Sequence, residues 1–346
     1  MNLSPTMNLN PNAIETKWGE YKLFSLSNKH GTQVDISDLG ATIVNFFVND
    51  KQNTKRNIVL GYDTPQEYLE GQNYFGCVVG PWANRIANGQ FELDGKQINL
   101  ELNEGSNHLH GASASLGCKR WIVKSAAINE VVFEVSSEED EAGFPSAINF
   151  TVSYQLTDSD ELIIKYSAKS EKRTPINMTQ HTYFNLDGHR DVLNHQIQVL
   201  ADSYLHVNEL AIPVEQASVT GTPLDLRTLT TIKDNIDSDF NQLNYAGGFD
   251  HCWCLPGNGM QKAANVFDEA SGLNLEVYTD QIGIQFYSGN FIDNVQGRDG
   301  QLYTKRFGLC LETQCYPDQV NMGNAEDCIF SADKTYEHNV IYKVSK

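Results

Sequence analysis

An all-β protein built from antiparallel strands is the fold class this sequence predicts. Three observations carry the prediction. Apolar residues recur at every second position in one stretch after another. Helix signals are confined to one short segment. No strand–helix–strand rhythm and no fixed-period repeat runs through the chain. A big sandwich and a barrel both satisfy that pattern.

Taken in order, Thr64-Pro65-Gln66-Glu67 has the makings of a capping box, and it can support only a short helix before Gly71. Phe91 and Leu93 alternate with polar residues up to Asp94-Gly95, a tight-turn signal, and Ile98, Leu100 and Leu102 alternate on the way back. Phe150, Val152, Tyr154 and Leu156 form another alternating run. Asp158-Ser159-Asp160 breaks it, and Leu162, Ile164 and Tyr166 resume it. Residues 194–200 and 273–278 read as further strands, and the acidic run 136–141 reads as a solvated loop. No linker divides the chain, so residues 13–346 are expected to form a single domain behind a flexible, Asn-rich tail over residues 1–12.

With 346 residues, 40% of them hydrophobic and only 20% charged, the chain can bury a large core and does not have a disordered composition. A formal net charge of −19 disfavours nucleic acid and anionic membrane surfaces as partners. The tail lacks the charged and apolar regions of a signal peptide, and no apolar run approaches the roughly 18–20 residues of a membrane span. The seven cysteines are odd in number and scattered, and Cys252-Trp253-Cys254 has no second pair to make a zinc knuckle. They read as reduced thiols of a cytoplasmic protein.

Four polar clusters interrupt the strands. Asn84-Arg85 lies between turn glycines, where an Arg can fork onto a ligand or make a surface salt bridge. Asn107-His108-Leu109-His110-Gly111 carries two His that, if extended, point to opposite faces; they are no matched metal pair, and one could line a pocket while the other meets solvent. In Asn177 to Leu186, alternation places His181 and Tyr183 on one face, where a His suits proton transfer or is simply a core His bonded to backbone. In Leu309-Cys310-Leu311-Glu312-Thr313-Gln314, Glu312 interrupts an apolar run, and a carboxylate there is costly unless paired or neutralised. Asp250, in Gly248-Phe249-Asp250-His251, is a weaker case of the same kind. Nucleotide, esterase and H-E-x-x-H metal motifs are absent.

Six blocks, in order along nearly the whole chain, resemble the galactose mutarotase (aldose 1-epimerase) family. They are residues 80–89, 107–111, 175–186, 248–251 and 285–290, and then Leu311 to Gln314 with Pro317-Asp318 and Asn321. The resemblance implies a large antiparallel β-supersandwich and a reaction that interconverts the α and β anomers of free hexoses such as galactose and glucose. It implies Glu312 as general base, His181 as general acid, and Asn84, Arg85, His110, Tyr183, Asp250 and Gln285 as sugar contacts. Gln281 is a near alternative to Gln285, whose Gln-Phe-Tyr-Ser-Gly-Asn context fits better. Pro81, Ala112 and Cys315 depart from the family's usual residues, and they bear on sugar preference more than on reaction type.

The chemistry suits those residues. Opening a hemiacetal removes the proton of the C1 hydroxyl and adds one to the ring oxygen, so one base and one acid suffice, with no metal or cofactor expected. A carboxylate beside His181 would be expected to raise its pKa and keep it charged. The expected partner is a small sugar, and the chain is expected to be a monomer or weak homodimer. A hexose-6-phosphate 1-epimerase would want a basic cluster that is not evident here, a non-catalytic sugar sensor would have no need of both His181 and Glu312, and a glycosidase would pair Asp250 with Glu312.

Overall fold

A computed structural model of the chain describes residues 8–9, 14–257 and 259–346. Three large sheets dominate it. The longest has ten strands. Its central order is Ile122–Ala127, Glu130–Ser137, Ile148–Leu156, Glu161–Ser170, Tyr336–Ser345, Leu273–Thr279, Gln261–Asp268 and Gln196–Val199. A six-stranded antiparallel sheet runs Tyr183–Phe184, Leu309–Gln314, Gly283–Tyr287, Asp250–Cys254, Ser203–Val207 and Pro213–Ser218. A five-stranded meander spans Ile14–Trp18 to Lys55–Asn57.

Alternation explains how these sheets share a core. Phe24, Ile36 and Phe46 of the meander, Phe133, Tyr154, Ile164 and Tyr342 of the long sheet, and Trp253, Ile284, Phe286, Leu309 and Leu311 of the six-stranded sheet belong to one buried cluster. Because side chains along a strand point to opposite faces, burying Leu309 and Leu311 in that cluster turns Cys310 and Glu312 to the other face.

Most of the expected elements form. Thr64 caps the helix Pro65–Glu70 in a full capping box, and the helix stops at Gly71. Gln90–Leu93 and Lys96–Asn99 pair around Asp94-Gly95, both at positive φ as a primed turn requires. Leu102 is a correction: the alternation stops at Leu100, and Leu102 is exposed. Asn194 and His195 precede the strand rather than join it, and Ser136 and Ser137 end a strand, which leaves the loop to the acids after them. In the expected tail, Asn8–Leu9 pairs in parallel with Ser125 and Ala126; residues 1–7 and 10–12 lie outside the described residues. Two short helices, Ile232–Asn235 and Asn241–Ala246, have no counterpart in the sequence reading.

Candidate active site

The outer face of the six-stranded sheet forms the floor of a cavity of roughly 210 Å³. Cross-strand pairing builds it in two rows. Tyr183 pairs with Cys310, Cys310 with Tyr287, and Tyr287 with Asp250. Beside that row, Glu312 pairs with Gln285 and Gln285 with Cys252. Paired residues share a face, so four strands deliver acids, an amide and aromatic rings to one patch. Gln285 Nε2 donates to Asp250 Oδ1 at 2.7 Å. Gln281 lies outside the strand and donates to Asp280, so Gln285 is the one of the two that bonds to a residue lining the cavity.

His181 reaches the floor from the side. Its own N–H donates to the Cys77 carbonyl, and its carbonyl accepts from the Gly76 N–H. These bonds hold the ring with Nε2 3.8 Å from Glu312 Oε1. Tyr183 stacks on it at 5.1 Å between centroids, as the alternation predicts, and Tyr74 covers it at 5.7 Å.

The wall opposite comes from a two-residue ladder in which Arg85 pairs with Leu109 and Ile86 with His108. Asn84, at positive φ, donates its N–H to His110 Nδ1 at 3.2 Å, which leaves Nε2 of that ring to carry the proton. Gly111 is required here. Its φ is +87°, and a Cβ would sit 2.3 Å from the Gly80 carbonyl oxygen. Next to it, Ala112 adopts a left-handed backbone that glycine would adopt more readily, and Gly80-Pro81 is a cis peptide bond. His108 corrects the expectation that one His of this pair meets solvent. It is fully buried, edge-on to Phe144, with Nδ1 2.8 Å from the Glu101 carbonyl.

Arg85 makes the salt bridge that one of its two sequence readings allows, but in the cavity wall rather than on the surface. Its guanidinium is gripped by both oxygens of Glu104, with Nε 2.7 Å from Oε2. Glu104 also lines the cavity, so this is a fixed ion pair in the wall. Burial alone would lower the Arg85 pKa, but the Glu104 bond and the charge of Asp250 raise it, so the cation is secure.

Electrostatics overturn one expectation. Burial raises the Glu312 carboxyl well above its ordinary range, with Asp250 adding to the effect and Arg85 opposing it. Burial also lowers His181 to about 4. The neighbouring carboxyl therefore does not raise His181, because burial is the larger influence on both groups. Both shifts run toward the neutral forms of the two groups. Asp250 is raised as well, by burial, against the pull of Arg85 and the Gln285 bond. Glu312 Oε2 and Gln285 Oε1 are buried without a hydrogen-bond partner among the described residues, as befits groups that wait for a polar ligand.

All eight residues singled out in the sequence are thus accounted for. Asn84, Arg85, His110, His181, Tyr183, Asp250 and Glu312 line the cavity, and Gln285 lies behind it, bonded to Asp250. Sequence reasoning missed Gln72, Asn73, Tyr74, Glu104 and Phe291, which also line it. Other motif residues prove to be pins: Asn177 accepts from the Cys315 N–H and donates to the Ala83 carbonyl, and Asp318 accepts from the Ala87 N–H. Cys315 itself packs in a second buried cluster with Trp82 and Ile86.

The family model described as aldose 1-epimerase matches residues 22–343. The chain belongs to the aldose 1-epimerase family. Galactose mutarotase from Bos taurus is 40% identical over 318 residues, 90% of this chain and 91% of that one. Aldose 1-epimerase from Escherichia coli K12 is 36% identical over 329 residues, 93% of this chain and 95% of its own. Among solved structures, an aldose epimerase homologue from C. elegans superposes with a TM-score of 0.88 at 27% identity, covering 93% of this chain and 98% of that one. Galactose 1-epimerase from Lactobacillus acidophilus gives 0.84 at 26% identity, with 96% and 98% covered. The β-supersandwich expected from the resemblance is therefore the family fold, and the cavity in it gathers an imidazole, carboxyls and an arginine. Among the described residues no helix is long and apolar enough to cross a membrane.

Proposed function

We propose that the chain is an isomerase that interconverts the α and β anomers of free hexoses such as galactose and glucose, with Glu312 and His181 exchanging protons with the sugar. The observation that carries this reading is the 3.8 Å approach of His181 Nε2 to Glu312 Oε1 at the floor of a cavity lined by sugar-sized polar groups.

The pair holds one proton, and the reaction needs one donor and one acceptor. Burial favours the neutral form of each group, so the resting proton is assigned to Glu312 in this scheme. A bound sugar brings hydroxyls to Glu312 Oε2 and lowers the cost of its charge, so the proton can pass to His181. Glu312 then takes the C1 hydroxyl proton as the C1 carbonyl forms, the bond from C1 to the ring oxygen breaks, and His181 protonates that oxygen. Rotation about C1–C2 and reclosure on the other face return both protons with roles exchanged. Asn84, Arg85, His110, Asp250 and Gln285 hold the hydroxyls so that the open form does not leave. Tyr74, Tyr183 and Phe291 offer ring faces to the sugar's C–H surface.

Arg85 is the one cation among the residues lining the cavity, and Glu104 already neutralises it, which disfavours a phosphorylated substrate. Residues 13–346 are read as a single domain because one buried cluster runs through all three large sheets.

The test is polarimetry of freshly dissolved α-D-galactose. Rapid relaxation with the native chain that is lost in Glu312→Gln supports the reading. No acceleration by folded native protein, with galactose and then glucose, overturns it.

A further inference from the structure

Three side chains at the cavity floor have the chemistry of a transition-metal site. Cys310 Sγ lies 3.6 Å from His181 Nδ1, and Glu312 Oε1 lies 3.8 Å from the other nitrogen of the same ring. One ligand atom from each of the three residues can be chosen so that all lie within 4.8 Å of one another. Around a tetrahedral zinc ion, with bonds of about 2.0–2.3 Å, ligand atoms sit roughly 3.3–3.7 Å apart. The Cys–His contact already meets that spacing. A single metal takes one nitrogen of His181, so one side chain has to move by about 1 Å, a side-chain rotation rather than a backbone shift.

Strand geometry explains the cluster. Cys310 and Glu312 are two residues apart on one strand and so share a face. Cys310 is fully buried beneath the cavity, among Phe75, Tyr183 and Tyr287. The acid–base chemistry gives its thiol nothing to do. Glu312 Oε2, also buried, has no partner among the described residues and can complete a metal's coordination.

We propose that Cys310, His181 and Glu312 form an inhibitory site for zinc or a similar borderline-soft divalent cation, which binds in place of the sugar. The donor set decides the class of metal: thiolate, imidazole and one carboxylate select zinc, cobalt or copper, whereas magnesium and calcium prefer all-oxygen sites. On binding, the Cys310 thiol and the Glu312 carboxyl each release a proton, and the neutral imidazole gives its lone pair. Two anionic ligands then balance the dication in a dry site. A metal so held ties up both members of the acid–base pair, so metal and sugar exclude one another.

The inhibition rests on the epimerase reading, but metal binding does not, and cobalt separates the two. Co²⁺ added to the native full-length chain is expected to give a near-ultraviolet thiolate-to-cobalt absorption band. Galactose is expected to erase it, and Cys310→Ala is expected to lack it. In polarimetry, Zn²⁺ is expected to slow the native protein. A chelator or excess galactose relieves the effect, Mg²⁺ has none, and Cys310→Ala, measured against its own zinc-free rate, requires at least roughly tenfold more Zn²⁺. Absence of the cobalt band from the native protein, its persistence in Cys310→Ala, or equal Zn²⁺ sensitivity of the two proteins overturns the proposal. If Cys310→Ala does not fold, displacement of the native band by galactose decides alone: a band that galactose leaves untouched sinks it.

Discussion

The Thr179 hydroxyl donates to the Thr313 carbonyl at 2.9 Å, joining the backbone two residues before His181 to the residue after Glu312. The segment is fastened further by Gln180, whose Oε1 accepts from the hydroxyls of Tyr154 and Tyr166. The acid–base pair therefore owes its spacing to bonds made behind it. Thr179→Val keeps the shape and removes the bond. It is expected to cost about 1 kcal/mol of stability and to lower kcat about tenfold, with KM changed less than about twofold, because small displacements of a reacting group are costly. Steady-state polarimetry at several galactose concentrations separates the two constants.

The proton shared by His181 and Glu312 predicts a bell-shaped rate profile. Below pH about 4 His181 takes up a second proton and no base remains. Above the raised pKa of Glu312 the pair loses its proton and no acid remains. Plotting kcat/KM of the native protein against pH is expected to show activity falling on the acid side only near pH 4, well below an ordinary histidine. An acid limb at pH about 6.5, the unperturbed histidine value, would place the proton on His181 in the free protein instead. Glu312→Gln and His181→Asn should each cost about 10²–10⁴-fold in rate, and the double variant little more, since the two act as a unit.

Glu312 should also weaken the fold it serves. Its folded-state pKa lies above the unfolded value, so above that folded pKa the native state carries a buried charge, and protonation removes the penalty as pH falls. Glu312→Gln is neutral throughout. It is expected to be more stable than the native chain at pH values above the folded-state pKa of Glu312. The advantage should shrink as pH is lowered. Urea denaturation at a series of pH values measures it, and a constant gap would mean that Glu312 does not titrate differently in the folded state.

Glu104→Gln leaves Arg85 without its two-pronged partner. Arg85 then has no fixed direction toward the sugar, and KM for galactose is expected to rise about fivefold, close to 1 kcal/mol of binding, with kcat nearly unchanged. A fall in kcat alone would assign the ion pair to the chemistry rather than to binding.

Thr64→Ala provides a contrast far from the reaction. It removes the hydroxyl half of the capping box on Pro65–Glu70 and should cost about 1 kcal/mol in thermal or chemical denaturation. Both kinetic constants should stay at native values.

What the sequence disclosed follows from what is local. Glu312 was visible because a carboxylate broke an apolar run, and His181 with Tyr183 because strands alternate. Glu104 was invisible: it sits beside a turn glycine, and only the pairing of Arg85 with Leu109 brings the two together. The helices at Ile232 and Asn241 escaped for a similar reason. Phe240 is no capping residue, and Thr231, though of a capping type with Asp234 in the first turn, makes no side-chain capping bond and starts a helix of a single turn. The charge state of His181 could not be read either, since the dryness of its surroundings comes from Tyr74 and Tyr183, which fold over it. Asn177 and Asp318 belong to the same motifs as the site residues yet pin backbone, Asp318 with a further bond from the Asn321 side chain, a distinction that spacing alone does not draw.

The strand Tyr336–Ser345 lies in the middle of the ten-stranded sheet, between Glu161–Ser170 and Leu273–Thr279. During translation, these two neighbours leave the ribosome long before the strand that must join them. Until Tyr336–Ser345 emerges, both present open edges able to pair with another nascent chain. The protein should accordingly depend on chaperones that shield such edges more than its finished form suggests, and ribosome stalling before residue 336 should leave an aggregation-prone product.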